Sequence, residues 1–183
     1  MSAYHFITRW EMPATCEEIY RILEEAEQLA VWWPSVYLDV KVLTPEIEGV
    51  GKKIALYTKG WLPYTLRWQF VVTAREFPKG FSIEAIGDFV GTGVWTFNPL
   101  GDGSRCEIIY DWRISAEKPL LKYLSFIMRP LFSANHHWAM RQGEKSLLLE
   151  LRRRHATTEA ECRAVPPPPP PTFPHNLMRN KVF

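Results

Sequence analysis

Cysteine is scarce in this chain, and the three present, Cys16, Cys106 and Cys162, stand far apart. An odd, scattered set gives no disulfide framework, and no CxxC or Cys/His spacing marks a zinc site, so no metal is expected. Reduced thiols suit the cytoplasm, the expected location. Charge of one sign is lacking too. The formal net charge is only +2, which leaves no basic footprint for nucleic acid. No apolar run reaches the ~18 residues that a transmembrane helix needs. The opening MSAYHFITRW has no apolar stretch with a cleavage site, so no secretory signal is expected.

Catalytic templates are missing as well. The chain contains no GxSxG elbow, no Walker A loop, no HExxH and no GxGxxG. Gly91-Thr92-Gly93 lacks the third glycine and leads into an aromatic strand, so it is no phosphate loop. No cofactor is expected.

Aromatic residues are abundant. Eight Trp, seven Tyr and ten Phe make 14% of the 183 residues. Such side chains bury large areas, so they fill a core or line a pocket. At 46% hydrophobic, the chain has material for one sizeable core.

Composition divides the chain near residue 155. Residues 1–155 carry regular patterns and read as one ligand-binding domain; residues 156–183 read as a proline-rich tail holding the uninterrupted run Pro166 to Pro171. Such a run lacks backbone donors and adopts an extended polyproline helix. Three readings of the tail stand: a solvated end, a docking segment for an SH3- or WW-type protein partner, or a strap across another subunit. Phe173, Leu177, Met178 and Phe183 keep the strap open, because free apolar residues are unfavourable in water. The Arg152-Arg153-Arg154 triplet reads as a complement to the C-terminal dipole of the helix before the tail, or else as a contact for an anionic membrane or a partner.

In the body, Tyr4 to Glu11 alternates as a strand. Thr15 with Glu18 forms a capping-box pattern. The helix that follows places Ile19, Ile22, Leu23, Ala26, Leu29 and Ala30 at helical spacing and turns its glutamates to solvent. It ends by Trp33-Pro34, because proline disfavours helix in the residue before it. Period two then rules from Val36 to Ser115, giving strands at Val36–Thr44, Lys52–Lys59, Thr65–Phe77, Phe81–Ile86, Gly91–Asn98 and Arg105–Ser115. Short connections predict an antiparallel meander with one buried face. After Pro119 the helical period returns, with a break or kink expected at Pro130 and a long helix to about Arg154. Its inner stripe is Phe132, His136, Met140, Gly143, Leu147 and Leu151. Gly143 costs up to about 1 kcal/mol relative to Ala in a helix, which reads either as a close approach to the sheet or a ligand or as a glycine tolerated without a role.

This order of elements resembles the helix-grip fold of the START-like superfamily, which includes lipid-transfer domains, birch-pollen-type allergens and polyketide cyclase/dehydrase-like proteins. Pro13-Ala14-Thr15-Cys16-Glu17-Glu18-Ile19-Tyr20 is similar to that superfamily's first-helix entry, and Trp33-Pro34 to its step into the second strand. Gly91 to Pro99, followed by Gly101-Asp102-Gly103-Ser104-Arg105, resembles its penultimate hairpin. The likeness covers residues 3–153. It implies an α+β fold: a curved seven-stranded antiparallel sheet around a long C-terminal helix, with two short helices after the first strand. It also implies an internal cavity for an apolar or amphipathic molecule such as a lipid or polyketide. The superfamily holds binders, carriers and some enzymes, and fold alone does not choose among them.

The expected lining is Trp68, Phe70, Ile83, Trp95, Phe97, Tyr110 and Trp112 from strands, with Phe132, His136 and Met140 from the helix; these residues either line a cavity or simply fill the core. His136 stands on the packed stripe, and His137 points about 100° away, so the two do not share a metal. His136 is either a core histidine or a general acid/base. The cyclases of the family use a cavity arginine to polarise a carbonyl. Arg67 and Arg75 are the candidates here, but strand phase turns both outward unless a bulge shifts the register. Tyr37, Tyr57 and Tyr64 are possible polar anchors of ambiguous phase. Three functions follow: ligand binding or carriage, a cyclase or dehydratase, or an interaction module acting through the tail.

Overall fold

The computed structural model describes the backbone of residues 3–116 and 119–177, and their side chains except at 3, 116 and 119–128. Met178 and Phe183 lie outside the described residues. Seven strands form one antiparallel sheet in the order β1-β7-β6-β5-β4-β3-β2. They are β1 (Ala3–Met12), β2 (Tyr37–Val42), β3 (Lys53–Lys59), β4 (Thr65–Glu76), β5 (Gly80–Gly87), β6 (Phe89–Leu100) and β7 (Arg105–Ala116). Every neighbour beyond the first pair is consecutive in sequence, as the short turns require. Between β1 and β2 lie α1 (Cys16–Glu24), a 3₁₀ turn and the four-residue α2 (Leu29–Trp32).

The buried face is written in the alternation. Cys106, Ile108, Tyr110, Trp112 and Ile114 of β7 are buried, and each lies beside an inward residue of β1: Trp112 beside Phe6, Ile114 beside Tyr4, Ile108 beside Trp10. A one-residue slip would turn both rows to solvent, so burial fixes the register. The β6–β7 turn uses Gly101 and Gly103 at φ of 61° and 88°, where a side chain would be strained.

The long helix α3 (Pro119–His155) spans 37 residues and continues through Pro130, so of the break or kink expected there the break does not occur. Met140, Leu147 and Leu151 are buried on its inner stripe, while His137 faces out. Thr15 caps α1 through Glu18 N–H at 3.3 Å. Glu18 turns its carboxylate to His155 Nε2 at 2.5 Å, tying the start of α1 to the end of α3. Arg154 adds a tie at the other end of α1 by pairing with the C-cap Glu25 at 2.6 Å. The buried Cys16 and Cys106 place their sulfurs 2.9 Å apart, joining the start of α1 to β7. No helix among the described residues is long and apolar enough to cross a membrane.

Residues 156–177 do not run free. They form α4 (Glu159–Ala164), complete with a Thr158/Glu161 capping box. The proline run then brings the chain back to the β3–β4 turn, where Thr172 Oγ1 donates to the Gly60 carbonyl at 3.1 Å. The tail is thus a strap over its own body, a reading that composition alone did not contain.

Candidate ligand cavity

The cavity lies between the inner face of the sheet and α3, with a volume of about 130 Å³. Its floor is a ladder of aromatic rings. Tyr110 stacks on Trp112 with centroids 5.5 Å apart, and Trp112 meets Trp68 at 5.7 Å. From α3, His136 stacks on Phe6 of β1 at 4.0 Å, which holds the imidazole parallel to the wall. Trp33, at the end of α2, abuts Tyr37 of β2 edge-on at 5.1 Å. Lys59, Gly60 and Tyr64, at the β3–β4 turn, complete the wall together with Asn135. Asn135 grips that turn by accepting from Leu62 N–H at 3.1 Å.

Six of the ten expected lining residues stand on this wall: Trp68, Tyr110, Trp112, Phe132, His136 and Met140. The other four lie on the same sheet face beyond the cavity. Trp95 stacks behind Tyr110 at 4.0 Å. Phe97 meets the Tyr20 ring of α1 at 5.8 Å. Ile83 is buried beside Gly93. Phe70 borders a second depression of about 230 Å³ near α1. The reason is geometric: α1 and its Tyr20 cover that half of the sheet, so its aromatics fill core.

The two arginines part ways. Arg67 stays on the outer face with its guanidinium 4.1 Å over the Tyr57 ring, as phase predicts. Arg75 follows a register shift between Val72 and Ala74 and does turn toward α1. It donates to Tyr20 Oη at 3.1 Å and forms an ion pair with Glu24. It borders the second depression and is absent from the aromatic wall. Of the tyrosines left ambiguous, Tyr37 and Tyr64 line the cavity, while Tyr57 faces Arg67 and His175.

Sequence reasoning missed Tyr4, Phe6, Trp33, Lys59 and Asn135. Tyr4 and Phe6 share the inward phase of Trp10 and Met12, a signal that was available. Lys59 had none. It follows inward Thr58 directly and breaks the burial alternation of β3, because the strap covers it through the Thr172 and Phe173 carbonyls.

The wall is apolar but carries polar points. Trp68 Nε1 donates to Thr58 Oγ1 at 3.0 Å. Tyr4 Oη, Trp33 Nε1 and His136 Nε2 are buried without a hydrogen-bond partner. Burial, with a smaller push from His137, lowers the His136 pKa to about 3, so the ring is neutral. Burial raises the phenols of Tyr37, Tyr64 and Tyr110, that of Tyr64 to about 12, so all three remain donors. Burial also lowers the Lys59 pKa.

No protein-family model matches the chain, and no curated protein sequence matches it. Solved structures do. The Zhui aromatase/cyclase from Streptomyces sp. R1128 superposes with a TM-score of 0.69 at 15% identity, over 85% of this chain and 98% of that one. TTHA0849 from Thermus thermophilus gives 0.64 at 18% identity, over 80% and 99%. Norcoclaurine synthase from Thalictrum flavum, in complex with dopamine and hydroxybenzaldehyde, gives 0.53 at 16% identity, over 86% and 90%. The chain therefore has the helix-grip fold that these solved structures share.

Proposed function

We propose that this protein binds a small apolar or amphipathic molecule, on the scale of one aromatic ring, in the cavity between sheet and α3. One observation carries the reading. Tyr4 Oη, Trp33 Nε1 and His136 Nε2 all belong to wall residues and are all buried without a partner. A buried polar group left unpaired costs roughly 1–3 kcal/mol, and an occupant with a polar atom recovers part of that cost. Size supports the same scale. A cavity of roughly 150 Å³ holds a benzene ring, and this one has about 130 Å³. A lipid or extended polyketide requires the walls to part.

Binding is favoured over turnover by the state of the wall. A neutral His136 with a pKa near 3 is a weak base at neutral pH, and neither Arg67 nor Arg75 reaches the cavity. Docking of a protein partner by the tail is disfavoured by the strap contacts with the body. Titration of the purified protein with single-ring aromatics, followed by tryptophan fluorescence, tests the proposal. Saturable quenching that is lost in Ala139→Trp, which fills the cavity, is expected. Absence of saturable binding by any ring-sized probe overturns it.

A further inference from the structure

Lys59 is 2% exposed, yet its cover is thin. Its Nζ donates to the carbonyls of Thr172 and Phe173 at 3.2 and 3.1 Å, so the strap itself forms the lid over it. An ammonium carries three donors, and these two carbonyls take two. They are neutral dipoles. Among the described residues no carboxylate lies within ion-pair distance of Lys59, although Lys52 and Lys79 find theirs. A buried charge is costly unless it is paired. The titratable wall residues offer no counter-charge, because His136 is neutral and the tyrosines are protonated. Lys59 is also among the residues that line the aromatic cavity.

We propose that the cavity selects aromatic molecules bearing an anionic oxygen, a ring carboxylate above all, with Lys59 as the residue that pairs with it under the Thr172–Phe173 lid. The inference rests on the cavity being a ligand site, and it names the ligand's charge. The ring lies among Trp68, Tyr110 and Trp112, and the carboxylate takes the third Lys59 hydrogen. Tyr64, a protonated phenol on the same rim, is placed in the wall as a second donor. An apolar ligand of equal size leaves the ammonium as it stands, so charge is the discriminating feature.

The test measures benzoate, benzamide and benzyl alcohol side by side on the full chain by calorimetry, with wild type and Lys59→Met. Benzoate is expected to bind at least roughly tenfold more tightly than either neutral probe, since a charge-assisted hydrogen bond is worth about that factor. In Lys59→Met the benzoate affinity is expected to fall to that of benzyl alcohol. Should that variant fail to fold, Lys59→Gln reads the same collapse. Equal or tighter binding of the neutral probes overturns the anion preference while leaving the ligand cavity standing. A benzoate preference that survives substitution of Lys59 places the anion elsewhere, for instance at Arg75, and also overturns it. If none of the three probes binds, the cavity reading fails and this inference fails with it.

Discussion

Gly143, in the middle of α3, lies against the indole of Trp33, so close that a Cβ built on it would overlap the six-membered ring. The helix accepts the cost of a central glycine because a tryptophan from the end of α2 occupies that space. Trp33 is held there from both sides, by Trp10 at 5.8 Å and by Tyr37 at 5.1 Å, and it also lines the cavity.

Gly143→Ala therefore destabilises the protein, although alanine is the better helix former. The helix gains about 1 kcal/mol, while overpacking costs about 1–3 kcal/mol and displaces Trp33. A net loss of about 1 kcal/mol is expected in urea unfolding. In a Trp33→Phe background the same substitution costs less, because contacting residues couple. An equal penalty in both backgrounds disproves the contact as the cause.

Stability depends on pH through His136. Its folded pKa of about 3 lies below the ordinary 6.5, so between those values the unfolded chain binds a proton that the folded chain refuses. Stability from this group is complete above pH 6.5 and declines as pH falls, by up to roughly 1.4 kcal/mol per pH unit. His136→Phe keeps a ring on Phe6 and removes the titration. Its stability between pH 6 and 4.5 is expected to fall less steeply than that of wild type, as read from urea midpoints. Parallel slopes would show that the imidazole is not buried neutral.

The strap shields Lys59 from solvent. In the full chain an amine-reactive ester is expected to acetylate Lys59 slowly compared with exposed Lys79. Truncation after Val165 removes the Thr172 and Phe173 carbonyls, and labelling of Lys59 in peptide maps is expected to rise several-fold. An unchanged rate would mean that the tail does not cover the amine in solution.

Much of the fold was legible along the chain. The period-two runs, Pro34, Pro78, the Gly101–Gly103 turn and the return of helical spacing after Pro119 gave seven strands and a long helix. Strand ends differed from expectation by a residue or two, as at Phe89–Leu100 against Gly91–Asn98. Alternation also gave the inward face of β7 without error, because one face of a sheet must be dry. Of the break or kink expected at Pro130, the break does not occur. Local sequence recorded the missing donor of proline, while the helix continues past it.

Sequence determined which side chains face inward; the tertiary structure alone decided which of them border empty space. Trp95 and Trp112 have the same phase on neighbouring strands, yet Trp95 is packed behind Tyr110 and beside Trp10, while Trp112 stands at the cavity. The difference comes from α1, whose Tyr20 covers one half of the sheet and leaves the other to α3. Lys59 is the sharper case. Nothing near it in sequence foretells burial, because its partners lie 113 and 114 residues away on a strap that folds back. Periodicity is a local property of the chain, whereas a cavity and its lid are made by segments that meet only when the whole molecule closes.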